Sequence, residues 1–153
     1  MSAPAGPTHL DESGNARMVD VAAKPVVARR ALAEAVVVMD PAAAGAVADG
    51  RVPKGDVAAV ARVSGLQAAK RTPDLIALCH PIALDRARLD VAVDVATGIV
   101  TVRAECWATA RTGVEMEALT AASVAALNVW DMVKGLDPGV HVTSLRLMEK
   151  SKG

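Results

Sequence analysis

The clearest regularity along the chain is a two-residue alternation between positions 86 and 106. Ala87, Leu89, Val91, Val93 and Val95 fall on one side, and Arg86, Arg88, Asp90 and Asp94 on the other; after Thr97-Gly98 the alternation resumes with Val100, Val102, Ala104 and Cys106. Period-two spacing around a glycine-containing turn predicts a β-hairpin with one face in need of cover. Further along, the apolar positions from about Glu117 to Lys134 predict a long helix able to supply that cover, and Val140 to Met148 a closing strand. Upstream, Arg29 to Met39 partly alternates and ends β-rich, which predicts a strand, although its alanines leave a helix open. Asp40-Pro41 starts a helix and Gly50 ends it; Asp56 caps a second, Ala- and Val-rich helix that runs to about Lys70, with Pro73 limiting its far end.

Strand, helices, hairpin, helix, strand is the order of an α+β split βαβ, the ferredoxin-like arrangement: an antiparallel four-stranded sheet with helices on one face. The other face then needs a partner or water. Residues 1–17, with Pro4, Gly6, Pro7 and Gly14, show no periodicity and are expected to form a flexible arm; residues 18–153 are expected to make a single domain.

Composition sharpens this picture at one point. Apolar residues reach 52%, yet Phe and Tyr are absent and Trp107 and Trp130 are the only aromatics, so Ala, Val and Leu must fill the interior. Small side chains bring backbones close but bury less area per residue than aromatics, which makes self-association an expectation. Basic and acidic residues balance at 17 each, so no net field steers the chain to nucleic acid or an anionic membrane. Cys79 and Cys106 lack paired spacing, and no run approaches the ~20 apolar residues of a membrane helix. A reducing cytoplasm is the expected compartment.

Candidate chemistry is scattered. His9, His80 and His141 are far apart, with no C-x-x-C and no H-x-x-x-H, which argues against a metal site. No Walker or G-x-G-x-x-G pattern occurs, so nucleotide phosphates would have to meet side chains and helix ends. Lys54, in a loop just before a helix start, suits an anion but equally suits solvent; Lys70 at a helix end admits the same two readings. His80 lies in Leu78-Cys79-His80-Pro81, a turn that can serve structure or function. In Thr112-Gly113-Val114-Glu115-Met116-Glu117, the two carboxylates either recognise a guanine-like edge or stabilise the first turn of a helix. Asp131 and Lys134 share a helix face, as a surface ion pair or as a buried pair tuned for proton transfer. Glu117 and Asp131 are fourteen residues apart, roughly 21 Å along a continuous helix. If both serve one small substrate, they come from different subunits across an antiparallel two-fold contact.

These strings, together with Met18-Val19-Asp20-Val21, Lys54-Gly55-Asp56, Gln67 to Thr72, Asp74-Leu75-Ile76 and the run from Thr112 to Leu127, resemble the cyclic pyranopterin monophosphate synthase family, the molybdenum cofactor biosynthesis protein C. The resemblance spans nearly the whole chain after the arm, in order. It implies an enzyme that converts a cyclised dihydro-GTP to cyclic pyranopterin monophosphate with release of pyrophosphate; the contrasting reading is a non-catalytic, nucleotide-binding regulatory module. It also implies a homohexamer, a trimer of dimers with sites at dimer contacts. Carried over by position, Lys54, Lys134, Asp131 and His80 are the expected catalytic residues. Leu78, Cys79, His80, Glu115, Met116 and Glu117 are the expected substrate-binding ones, with Arg29 and Lys70 meeting phosphates. Cationic amines of one protomer are expected to face carboxylates of its neighbour. No flavin, nicotinamide or resident metal is required by that chemistry, although magnesium can travel with the triphosphate.

Overall fold

The computed structural model describes residues 9–153. Four strands, β1 (Val27–Val38), β2 (Arg86–Asp94), β3 (Ile99–Ala110) and β4 (His141–Lys152), form one sheet in the order β2-β3-β1-β4. Every neighbouring pair is antiparallel. Strands β1 and β2 therefore run parallel with β3 between them, and β3 and β4 run parallel with β1 between them, which is the interleaved pair of βαβ units expected from the element order. The helices are α1 (Pro41–Ala48), α2 (Val57–Lys70), the single turn α3 (Thr72–Leu75) and α4 (Glu115–Val133). Residues 1–8 of the expected arm lie outside the described residues. Within 9–17, Leu10 bridges Ala16 around a turn in which the Asp11 carboxylate accepts the Ser13 and Asn15 amides.

Alternation decides the segment that composition left open. Ala31, Ala33, Ala35 and Val37 are buried and lie opposite Cys106, Ala104, Val102 and Val100 of β3, so the alanines of β1 form the floor of the core. A helix there would scatter these residues around its circumference and leave the centre of the sheet without a strand. Onto the floor packs α4, whose Ala118, Ala121, Ala122, Ala125, Ala126, Val129 and Val133 repeat at helical spacing and are buried. Alanine facing alanine lets the helix lie close to the sheet. The same economy of size joins α2 to α4. A Cβ on Gly65 would collide with the Leu89 side chain and come within 2.9 Å of the Ala121 carbonyl, so the glycine is the condition for that close helix crossing.

Helix starts follow the expected chemistry. The Asp56 carboxylate accepts the Ala59 amide and caps α2, and Pro41 occupies the first turn of α1. Beyond α2 the buried Thr72 hydroxyl donates to the Ala68 and Ala69 carbonyls, and Pro73 opens the short α3. This turn was absent from the expected elements because Pro73 reads as a stop, whereas at the first turn of a new helix it is tolerated. Helix α4 begins two residues earlier than expected, at Glu115, and β4 runs on to Lys152.

Among the described residues, no helix covers the second face of the sheet. Alongside Leu32, Val36 and Trp107 that face holds a ladder of alternating charge: Glu34 is gripped by Arg103 and Arg146 at 3.0 and 3.1 Å, and Glu105 by Arg30 and, at 3.5 Å, by Arg88. Both carboxylates are nearly inaccessible, at 5% and 6% exposure. The register creates this arrangement, because Glu34 lies directly opposite Arg103 on one side and Arg146 on the other. Arginine holds Glu34 below the usual carboxylate range, the Arg103 hydrogen bond being the largest cause.

Candidate active site

The residues expected to act on a substrate gather at the two ends of α4. Towards its C-terminal end, the Asp131 carboxylate accepts Lys134 Nζ at 2.7 Å through one oxygen and Lys54 Nζ at 3.1 Å through the other, and Lys54 also donates to the Asp131 carbonyl at 2.9 Å. Lys134 follows from helical spacing. Lys54 is brought in by the turn between α1 and α2, which Asp56 ties down at its far end. The Lys134 hydrogen bond, followed by that of Lys54, holds Asp131 below its ordinary range, so the carboxylate is ionised at neutral pH. All three side chains are exposed in the protomer, which is the surface form of the ion pair. Next to them Trp130 donates its indole N–H to the Val140 carbonyl at 2.7 Å, and the Lys134 ammonium lies 5.6 Å from its ring centre.

At the other end of α4 lies a cavity of about 480 Å³ whose wall includes Leu78, Cys79, His80, Glu115 and Met116. His80 Nε2 donates to the Val19 carbonyl at 2.6 Å, fixing the ring against residues 18–24. Cys79 points elsewhere: its thiol reaches Glu117 Oε1 at 3.8 Å, and burial together with Glu117 pushes it up to about 11. A neutral thiol at physiological pH excludes the thiolate–imidazole nucleophile that the Cys79-His80 neighbours could suggest. Glu117 lies behind the wall at 1% exposure, with Oε2 buried and unpartnered, and burial raises its pKa above the ordinary range. Glu115 lies over Gly113, where a Cβ would strike its carboxylate.

Arg29 borders this end of the molecule. It donates to the Arg111 carbonyl at 3.1 Å while its Nε is buried without a partner. Lys70 is exposed at the end of α2 and lines none of the described cavities that hold the other residues. His9, Val19, Val21 and Lys24 also line the cavity and had not been named as site residues. For Val19 and Val21 the signal was the string Met18 to Val21, which carried the resemblance but contains little that announces chemistry; His9 and Lys24 lie outside that string.

The geometry separates the candidate residues into two groups. Lys54, Lys134 and Asp131 belong to one cluster of one protomer, so Asp131 is not a carboxylate that these lysines need to meet from a neighbour, whereas Glu115 and Glu117 lie at the far end of α4, as the spacing of Glu117 and Asp131 had it. The two groups of candidate residues are separated by α4, which spans 19 residues, roughly 28 Å at the helical rise. A single small ligand cannot bridge that distance within one chain. Among the described residues, no group of three or more His, Cys, Asp or Glu side chains is positioned to hold a metal ion, and no helix is long and apolar enough to cross a membrane.

Comparison with known proteins adds to this geometry. Residues 18–153 match the family model described as the MoaC family. The chain is 52% identical over 146 residues to the cyclic pyranopterin monophosphate synthase of Roseiflexus sp. (strain RS-1), covering 95% of this chain and 92% of that protein. It is 51% identical to that of Roseiflexus castenholzii with the same coverage. With the synthase of Cereibacter sphaeroides it shares 49% identity over 148 residues, covering 97% of this chain and 93% of that protein.

Proposed function

The chain belongs to the MoaC family, and on that premise we propose how its two clusters perform the family's reaction. The protein is a cyclic pyranopterin monophosphate synthase of molybdenum cofactor biosynthesis: a lyase that converts cyclised dihydro-GTP to the cyclic phosphate and pyrophosphate. The observation that carries the assignment of residues is the pairing of two lysine amines on the single carboxylate of Asp131.

Rebuilding a purine as a pterin and closing a cyclic phosphate both require protons to be moved on and off nitrogen, carbon and oxygen. Lys54 and Lys134 are the groups able to carry them, and Asp131 fixes their amines within reach of one another. In the free protomer all three are open to water. His80, Leu78, Cys79 and Met116 form the wall against which the base would lie, and Glu115 is the accessible carboxylate for its donor edge; Glu117 backs that wall through Cys79. Arg29 lies toward the phosphates, whereas Lys70 has less support, being remote from the cavity.

The two halves become one site if α4 of one protomer lies antiparallel to α4 of another. The outer side of the helical layer exposes Val60, Val63, Leu75 and Leu127, an apolar surface suited to a copy of itself. The homohexamer, a trimer of dimers on the ferredoxin-like subunit, is built on that contact. Resident cofactors have no part in the scheme, and magnesium enters only with the triphosphate. A reducing cytoplasm keeps Cys79 and Cys106 as free thiols.

Incubation with cyclised dihydro-GTP, followed by mass analysis, should yield the cyclic phosphate and one pyrophosphate per turnover. Lys54→Ala and Lys134→Ala should each lower product formation by about a thousandfold or more, a loss of roughly 4 kcal/mol in the barrier. Wild-type rates in either variant would falsify the roles given to these lysines.

A further inference from the structure

Asp137 lies in the loop between α4 and β4 and is buried, at 6% exposure. One carboxylate oxygen, Oδ1, accepts the Gly139 amide at 2.8 Å, a local turn of the kind that Asp137-Pro138-Gly139 favours. The other reaches far along the chain: Oδ2 accepts the Asp40 amide, 97 residues away, at 2.8 Å. Asp40 is the residue through which the chain leaves β1 and enters α1. A buried carboxylate is costly unless its oxygens are met, and two main-chain amides meet them here. The local turn needs only the first of these bonds.

The long bond joins the two segments that make the Lys54–Asp131–Lys134 cluster. Past the end of α4 the Val133 carbonyl accepts the Leu136 and Asp137 amides at 2.8 and 3.1 Å, so Asp137 is held to the last turn of the helix that carries Asp131. From Asp40, α1 leads into the turn that carries Lys54. The Asp49 and Arg51 amides return there to the Gly45 and Ala46 carbonyls, and Val52 is buried in the core. The segment 40–56 is thus joined to the end of α4 at two points, Asp40 to Asp137 and Lys54 to Asp131. The two are unequal. The Lys54 and Asp131 side chains are 49% and 55% exposed, and water and salt weaken such a pair. The Asp137 bond is sheltered and charge-assisted, which makes it the firmer constraint.

We propose that Asp137 is a positioning residue of the synthase, which holds the entry of α1 against the exit of α4 and thereby sets the reach of Lys54 to Asp131. The assignment rests on the roles given above to the Lys54–Asp131–Lys134 cluster. Asp137 bonds to main-chain amides, so it acts through the backbones that carry the cluster. Lys134 shares α4 with Asp131 and keeps its contact by helical spacing, whereas Lys54 has to be delivered from another segment. Loss of Asp137 therefore falls on the Lys54 contact and spares that of Lys134. Proton transfer is sensitive to such displacements, because the reacting groups must be held in register.

Two variants of the full chain cut the long bond from its two sides. In Asp137→Asn the side-chain nitrogen cannot accept the Asp40 N–H. In Asp40→Pro that N–H is absent, the Asp40 φ of −59° already suits proline, and Asp137 with its turn is left in place. Each variant should lower kcat for cyclised dihydro-GTP by about tenfold with little change in KM, and the two together no more than either alone. In the Lys54→Ala background, Asp137→Asn should cost nothing further. A second readout is independent of turnover. The Asp131 carboxyl, held low first by Lys134 and then by Lys54, should titrate closer to its ordinary range in both variants when followed by side-chain carbon NMR. An Asp131 titration and a kcat that are unchanged in either folded variant overturn the proposal, as does an equal loss of kcat with and without Lys54. If the titration moves in the variants while the wild-type protein makes no cyclic phosphate, the positioning stands and the assigned reaction falls.

Discussion

Glu117 and Glu34 are buried carboxylates with opposite electrostatics, and acidity separates them. Glu117 has no cation beside it, and burial raises its pKa above 4.5. The folded state therefore holds its proton more tightly than the unfolded chain, and the stabilisation present below that value is lost as pH rises through the folded-state pKa. Glu34, clasped by Arg103 and Arg146, is lowered below 4.5, so its contribution is present above that value and lost as pH falls through the folded-state pKa. Urea unfolding as a function of pH should therefore show a smaller loss of stability above about pH 4.5 in Glu117→Gln, and a smaller acid-induced loss in Glu34→Gln. Parallel pH profiles for wild type and both variants would remove this account. Neither environment was legible in the chain. Glu117 reads as a first-turn acid of a helix or as a ligand-facing carboxylate, and its actual position behind Cys79 depends on how residues 76–80 fold over α4. The cluster at Asp131 was half legible: Lys134 follows from spacing, whereas Lys54 arrives from a loop 77 residues away.

At the scale of elements, what was legible is what repeats. The β2–β3 hairpin, α2 and α4 declare themselves through period and capping, and their observed bounds differ from the expected ones by only a few residues. The segment of β1 was ambiguous because alanine is a poor witness to period, and only the facing strand and helix resolve it. Thr72–Leu75 was missed because a proline can end one helix and start another. Contact between elements supplies a prediction of its own. Gly65→Ala gains up to about 1 kcal/mol in helix propensity, but the new methyl must displace the Leu89 side chain and press on the Ala121 carbonyl, at about 1–3 kcal/mol. The variant should unfold at lower urea concentration with an unchanged slope, whereas Gly135→Ala, with nothing within 4 Å of the added carbon, should not show that overpacking loss. An unaltered midpoint in Gly65→Ala would mean that α2 and α4 have room to separate.

For the whole molecule, the decisive fact is that the two groups of candidate site residues lie at opposite ends of one helix. Complementation between inactive variants can read this directly. If the proposed site is shared across a two-fold contact, equal amounts of His80→Ala and Lys54→Ala protein, allowed to exchange subunits, should recover about a quarter of wild-type activity, since half the dimers would be mixed and each would have one intact site. Lys54→Ala mixed with Asp131→Ala should recover nothing, because both residues belong to the same cluster of one protomer. Recovery in the second mixture, or none in the first after demonstrated exchange, contradicts the shared site. Trp130 provides another way to watch this region. With Tyr and Phe absent and Trp107 the only other indole, replacing Trp107 leaves a single ultraviolet fluorophore one residue before Asp131, its ring facing the Lys134 ammonium. Its emission becomes a label-free optical gauge of charge and hydration at the Lys54–Asp131–Lys134 cluster, readable while ligand binds or subunits trade places.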